Sequence, residues 1–352
     1  MAEQDISSWA QGGGVTGKNN NFDRTEVRRR IVVAGAAIPA LAWMGAAHAQ
    51  AKPLVLVGWL NNTSRKANAH YLRAFKEGMA TLGWNEGVNY AIEERWAESV
   101  SERLQPLALE LAAKNPAVVV AATVVATTVA SKLIPHTPIV QGDGGSLVTA
   151  GLAASLARPG GLVTGVTNMV VEFGGKFLEI LLETIPSARR VGFLADVGTQ
   201  TAEPLAKLYR SVLDQRRIQG FFAKIDKPDD IEPALAQLAK DRIQGLVLLP
   251  ARFFVAERER IVKIAMANRW PVSCGPHEIA EAGALMSYGA DRAALYRRSA
   301  YYVDRILKGA KPSDLPIEQP TKFEMLVNLK TAKALGITVP QSVMVRATRV
   351  IE

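Results

Sequence analysis

A chain of 352 residues, 48% apolar and 21% charged, has the length for two domains and the make-up of an ordinary soluble globular protein. Its net charge of +9 comes from Lys and Arg scattered among acidic residues, as in Glu257-Arg258-Glu259-Arg260, with no basic block or aromatic–basic interleaving, so a nucleic-acid partner is not expected. The single cysteine, Cys274, excludes an intrachain disulfide and sits in an apolar strand-like run, where it reads as a small buried residue.

Residues 1–23 are polar and rich in Gly and Asn. Within them Gly12 to Asn19 nearly spells a phosphate-binding loop, but Asn19 replaces the magnesium-ligating hydroxyl and no strand precedes it. Arg28-Arg29-Arg30, an apolar run over 31–47 and Ala47-His48-Ala49 are the parts of a secretory signal. Residues 1–49 are therefore expected to be a polar leader plus a cleaved signal peptide, which implies a periplasmic protein. Arg28-Arg29 fits a twin-arginine variant of export, with Val27 standing where Ser or Thr is preferred. No cysteine near that site offers a lipid anchor.

The pattern then alternates. A continuous apolar strand is predicted over 54–60, a helix follows with Leu72, Phe75, Met79 and Leu82 at helical spacing, and strands recur at 90–96, 117–123 and 138–141. A short Gly-broken stretch, 163–168, reads as a crossing. The rhythm restarts with strands at 190–195, 221–225, 245–250 and 271–274 and helices between them. Ser287-Tyr288-Gly289 and a helix over 292–308 then return the chain, and a last strand-like run spans 323–328. Two such series imply an α/β protein of two doubly wound lobes with mainly parallel sheets joined by hinge crossovers. The expected division is 54–166 with 288–320 in one lobe, and 167–287 with 321–352 in the other.

Open α/β sheets bind ligands beyond the carboxyl ends of their strands, and two such lobes face each other across a cleft. The candidates are Asn61 and Ser64 after the first strand, Thr123 after the third and Asp143 after the fourth. In the second lobe they are Asp196, Pro250 and Phe253, with Asn168 and Tyr288 at the hinges. Hydroxyls, amides and helix N-termini suit a small polar ligand, Asp143 or Asp196 an ammonium group, and Trp59 or Phe253 an apolar wall. Each has a plain reading as a loop or capping residue. Catalytic patterns fail: Gly144-Gly145-Ser146-Leu147-Val148 lacks the last glycine of a nucleophile elbow, and His70, His136 and His277 lack metal-ligand spacing. No catalytic residue, metal or cofactor is expected.

From about residue 54 onward the chain resembles the substrate-binding proteins of a large bacterial ABC-transporter family, whose few studied relatives bind aromatic amino acids. The resemblance is carried by Phe75-x-x-Gly78 with Leu82-Gly83-Trp84, Glu94-Arg95-Trp96-Ala97, Ser155-Leu156-Ala157-Arg158-Pro159-Gly160-Gly161, Ser287-Tyr288-Gly289 and Ile306-Leu307-Lys308-Gly309. Its most specific block runs through Gln319-Pro320-Thr321-Lys322-Phe323 and Asn328-Leu329-Lys330-Thr331-Ala332-Lys333-Ala334-Leu335-Gly336. It implies the type I periplasmic binding fold, capture of a small solute such as an aromatic or branched amino acid, an inner-membrane permease as partner, and a monomer. Three departures fall in the ligand loops. Ala122-Thr123-Val124-Val125-Ala126 replaces Gly-Thr-Pro-Ala-Ala, Gly142-Asp143-Gly144-Gly145 replaces Gly-Asp-Pro-Val, and Asp196-Val197-Gly198 stands where Asn-Pro is usual. The rival readings are a ligand-sensing module for a signalling receptor and an enzyme using the cleft.

Overall fold

The computed structural model describes residues 53–352. The leader and signal peptide expected over 1–49 lie outside the described residues. The elements, in chain order, are β1 (Val55–Asn61), α1 (Arg65–Thr81), β2 (Tyr90–Trp96), α2 (Leu104–Ala113), β3 (Val118–Ala121), α3 (Val124–Leu133), β4 (Ile139–Gln141) and β5 (Val163–Gly165). They continue as α4 (Val170–Thr184), β6 (Arg190–Asp196), α5 (Ala202–Arg216), β7 (Gln219–Ile225), α6 (Ile231–Lys240), β8 (Gly245–Leu248), α7 (Arg258–Ala267), β9 (Val272–Cys274) and α8 (His277–Glu281). The remainder is β10 (Met286–Ala290), α9 (Arg292–Leu307), β11 (Phe323–Asn328), α10 (Leu329–Leu335), α11 (Gln341–Met344) and β12 (Arg349–Ile351).

The strands form two sheets. The first, β2-β1-β3-β4-β5, is wholly parallel, and the second, β12-β11-β10-β9-β8-β6-β7, is parallel except where β10 meets β11. Parallel strands need crossover helices that cover both faces, so their residues read as unbroken apolar runs. In β1, Val57 and Trp59 point to a core with Phe75 of α1 and Tyr296 of α9, while Leu60 points to Leu104, Ala108 and Leu111 of α2. The second sheet is lined likewise. Leu194, Leu246 and Leu248 pack against α6, α7 and α8, and Val191, Phe193 and Val247 against α4 and α5. Burying each such side chain is worth about 1.5–3 kcal/mol.

Helix α9 follows β10 of the second sheet but packs on the first, beside α1. The two helices meet closely at Gly78, where a Cβ would lie 2.7 Å from the Arg297 carbonyl oxygen and 2.9 Å from Ala300 Cβ. That contact gives Phe75-x-x-Gly78 a physical reason: the aromatic fills the core and the glycine admits the neighbouring helix.

The chain passes between the lobes after β5, after β10 and before β11. These passages lie side by side. Val166 bridges Glu318, the Thr167 amide donates to the Glu318 carbonyl at 2.9 Å, and the Asp291 amide donates to the Lys322 carbonyl at 3.3 Å. Strand β10 stays paired with β11 as far as Ala290, so the return to the first lobe falls at Asp291 and not at residue 288 as the sequence suggested. The reason is local. Asp291 caps α9, its carboxylate accepting from the Ala294 amide at 2.9 Å, and only there does the strand conformation end.

Candidate functional site

A cleft of about 180 Å³ opens between the carboxyl ends of the two sheets. Its first-lobe wall is built from the turn after β1, the start of α3 and the loop after β4. Asn62 accepts a hydrogen bond from the Thr123 hydroxyl at 2.8 Å, and that hydroxyl in turn accepts from the Ala126 amide at 3.2 Å, capping α3. Val124 and Val125, the first residues of α3, line the cleft at the positive end of a helix dipole.

Asp143 anchors the polar floor. Its carboxylate accepts from Arg292 Nε at 2.7 Å and from Asn168 Nδ2 at 2.8 Å. Arg292, the first residue of α9, also donates to the Tyr71 hydroxyl at 3.2 Å and lies over the Tyr71 ring, 4.2 Å from its centroid. Burial works against the Arg292 charge, but Tyr71, Asp143 and Glu278 more than reverse this and push its pKa above the ordinary guanidinium value. Burial likewise pushes the Tyr71 hydroxyl well above its usual range, so it stays a neutral donor and acceptor.

The second-lobe wall is largely apolar. Phe173 of α4, Tyr288 of β10 and Phe323 of β11 line it, with Tyr288 and Phe323 stacked at 5.9 Å and 11° and Phe173 against Phe323 at 4.2 Å. Phe177, Val255, Pro250 and Pro276 extend this surface. Among its polar groups, the Thr201 hydroxyl is buried without a protein partner.

Of the residues singled out from sequence, Thr123, Asp143, Asn168, Pro250 and Tyr288 line this cleft together. Four do not. Asn61 is buried and spends its side-chain oxygen on the Thr63 amide and hydroxyl, both at 2.8 Å, so the next residue, Asn62, faces the cleft instead. Ser64 starts α1 without a side-chain cap, and its carbonyl accepts from Asn68 Nδ2, while Thr63 and Asn68 line the cleft. Asp196 is fully buried beneath Arg252, whose Nε and Nη2 hold its two oxygens at 2.8 and 2.7 Å. It therefore has no face for an ammonium group. Phe253 turns into the second lobe's core, edge-on to Phe254 at 5.6 Å, and leaves Arg252 at the surface of the cleft. Trp59, read as a wall, is likewise a core residue packed between Phe75 and Tyr296.

Arg292, Phe173 and Phe323 were not singled out from sequence, whereas Arg252 falls in the loop after the third strand of the second lobe, which was. Phe173 and Phe323 each lie a few residues from a crossing, which is the signal that could have found them. Two departures in the ligand loops have structural causes. Gly144 adopts φ 148°, a backbone closed to proline, and its carbonyl accepts the Asn168 amide at 2.7 Å. Gly198 leaves room for Arg252, since a Cβ there would lie 2.4 Å from the guanidinium carbon. Asp196-Val197-Gly198 is thus a seat for an arginine.

The charged groups lining the cleft are each paired: Arg292 with Asp143, and Arg252 with Asp196 and Asp226. Such a lining suits a small neutral or zwitterionic molecule with an apolar body. Among the described residues no group of three or more His, Cys, Asp and Glu is arranged to hold a metal ion, and no helix is long and apolar enough to cross a membrane.

Comparison with known proteins agrees with this geometry. The chain is 22% identical over 269 residues, 75% of its length and 76% of the relative's, to a tyrosine-binding protein of Clostridioides difficile (strain R20291). A conserved domain protein from Vibrio cholerae O1 biovar eltor superposes with a TM-score of 0.78 at 24% identity, covering 84% of this chain and 99% of that one. An ABC domain from Streptococcus pneumonia in complex with L-Trp gives 0.77 at 19%, covering 85% and 100%. Both have the same fold of two lobes around a cleft. Residues 62–351 match the family described as ABC transporter substrate binding protein, and the chain belongs to that family.

Proposed function

We propose that this protein captures an aromatic amino acid in the cleft and delivers it to an ABC permease in the inner membrane. The carrying observation is the opposition of two surfaces. The aromatic trio of Phe323, stacked on Tyr288 and tilted against Phe173, lies on the second lobe, and the Asp143–Arg292–Asn168 cluster lies on the first. An aromatic side chain would rest on the former, because offset and edge contacts between rings add to their burial. The α-ammonium group would take a free lone pair of Asp143, and the carboxylate would lie on the open amides of Val124 and Val125. The unpartnered Thr201 hydroxyl offers a further bond to a ring substituent or to the backbone of the ligand. The names of the relatives that bind tyrosine and L-Trp point the same way.

A ligand that touches both lobes shifts the protein toward its closed arrangement, which is the form a permease can distinguish. Binding a substrate for an ABC transporter is the role of the family. Export to the periplasm through the expected cleaved signal peptide belongs to the same proposal, as does a monomeric state.

Titration calorimetry with L-tyrosine, L-tryptophan, L-phenylalanine, L-leucine and L-isoleucine tests the assignment. Tight binding of the aromatic set, lost with the D-enantiomers and with tyramine, is expected. Binding of the aliphatic amino acids alone, or of none by a folded protein, would sink it.

A further inference from the structure

We propose that Arg252 is a positioning residue, a clasp that holds the two lobes together independently of the ligand and so sets the affinity for every ligand alike. Five contacts place it. Within the second lobe its guanidinium is fixed by Asp196 at 2.7 and 2.8 Å and by Asp226 at 2.8 Å. Across the cleft, Arg252 Nη1 donates to the Ser101 hydroxyl at 2.5 Å, and the Ser99 hydroxyl donates to the Arg252 carbonyl at 3.1 Å. The Arg252 side chain is only 6% exposed although it lines the cleft. An arginine locked in this way loses little side-chain freedom when it engages a second partner.

The first-lobe half of the clasp is built with strain. Glu98 and Ser99, at φ 52° and 65°, are consecutive non-glycine residues in the left-handed region, a conformation that L-residues avoid. Backbone outliers of this kind persist only where their surroundings hold them. Here the Glu98 carboxylate accepts from the Arg65 amide at 3.0 Å, and the Ser99 amide donates to the Asn62 carbonyl at 2.9 Å. The turn thus aims two hydroxyls at Arg252. It also ties them to Asn62, whose side chain orients Thr123 in the cleft wall.

Neither serine lines the cleft, so neither meets a ligand there. Their bonds to Arg252 exist only when the lobes are together. A contact of this kind raises the population of the closed form, and apparent affinity scales with that population. Two hydrogen bonds, one of them charge-assisted, correspond to about a 5- to 30-fold change in the closed-to-open ratio. The inference rests on closure during capture but not on the identity of the ligand.

The test uses Ser99→Ala/Ser101→Ala, which removes the clasp from exposed or half-exposed positions without touching Arg252 or its carboxylates, and Ser99→Ala/Ser101→Thr, which restores one hydroxyl. Transfer efficiency between dyes on Leu109→Cys and Leu208→Cys, one on each lobe and both exposed, reports the closed-to-open ratio of the ligand-free protein. The native Cys274 is buried and does not compete for label. The double alanine variant should lower the ratio by about 5- to 30-fold, with partial recovery in the threonine variant. Affinities for L-tyrosine, L-tryptophan and L-isoleucine should all fall by one common factor, the change in the closed fraction that this ratio implies, with their order unchanged. An unchanged ratio, including a wild type that never visits the closed form, overturns the clasp, as does a loss confined to one amino acid. A ratio that shifts as expected in a protein that binds none of the three amino acids would leave the clasp standing and remove the aromatic assignment instead.

Discussion

His70 of the first lobe and Glu278 of the second face each other across the molecule, Nε2 to Oε1 at 3.0 Å. The Tyr71 hydroxyl donates to the same carboxylate oxygen, and through Tyr71 the contact reaches Arg292 and the Asp143 carboxylate in the cleft. Ligand floor and inter-lobe contact are therefore parts of one hydrogen-bonded chain. In the proposed binding mode, a molecule seated on Asp143 would sit at one end of this chain and Glu278 at the other.

The pH dependence of that contact follows from its surroundings. Burial alone would raise the Glu278 pKa, but the hydrogen bond from His70, the nearby Arg292 and His277 charges and the Tyr71 hydroxyl outweigh it and hold the carboxyl well below the usual carboxylate range. A depressed folded-state pKa gives stability that is complete above the unfolded value of about 4.3 and fades only as pH falls through the lower folded value. Glu278→Gln should cost about 1–3 kcal/mol at pH 7. In thermal melts the gap between wild type and variant should persist down to about pH 4 and narrow in stronger acid. A gap already lost at pH 5 would contradict the assignment.

Asp143→Asn tests the floor itself. The change keeps the volume but leaves Arg292 without its counter-charge in a place where Asp143 is 3% exposed. Breaking a buried pair by neutralising one partner costs about 3–5 kcal/mol. Stability to urea should drop by that order, and affinity for amino acids should be lost. Replacing both members, Asp143→Asn with Arg292→Gln, should recover part of the stability without recovering binding. If the single variant binds as tightly as wild type, Asp143 does not meet the ammonium group.

The alternating architecture was legible because parallel strands covered on both faces leave unbroken apolar runs, such as Val55 to Leu60, and glycines and prolines mark their ends. The cleft was legible only in part. Sequence points to the loop after a strand but not to which of two adjacent residues turns outward. Asn61 and Asn62 have the same side chain, and the one that closes its own turn on Thr63 is lost to the ligand. Phe253 and Arg252 show the same ambiguity. An aromatic beside an arginine suggests a stacking wall, yet Asp196, 56 positions earlier, draws the arginine to the edge and the phenylalanine turns into the core. Pairs such as Asp143 with Arg292, 149 positions apart, exist only once the chain has crossed between the lobes.

Helix packing on the first lobe offers a further check. Gly78→Ala would drive a Cβ into the backbone of α9 near Arg297 and against Ala300. Overpacking of this kind costs about 1–3 kcal/mol. The urea midpoint should fall with an unchanged slope, because the same surface is still exposed on unfolding. Affinity for the ligand should not change, since Gly78 lies outside the cleft. An unaltered midpoint would mean that α1 and α9 do not pack as closely as described.

Two phenylalanines separate core from site. Phe253 is 1% exposed and packs on Phe254 within the second lobe, so Phe253→Ala should remove about 3–5 kcal/mol of stability through the cavity it leaves. Its effect on binding, measured where the variant is still folded, should be small and equal for tyrosine and isoleucine. Phe323 is half-buried, stacks on Tyr288, packs at a tilt against Phe173, and faces the cleft. Phe323→Ala should cost less stability and should weaken binding of aromatic amino acids by about tenfold. Isoleucine, which gains no ring contact, should be affected less. The discriminating quantity is the ratio of tyrosine to isoleucine affinity in each variant, by calorimetry at one temperature. It should move with Phe323 and stay fixed with Phe253. If the ratio moved with Phe253 instead, the aromatic wall would belong on the other side of that loop and the aromatic trio would be mere packing.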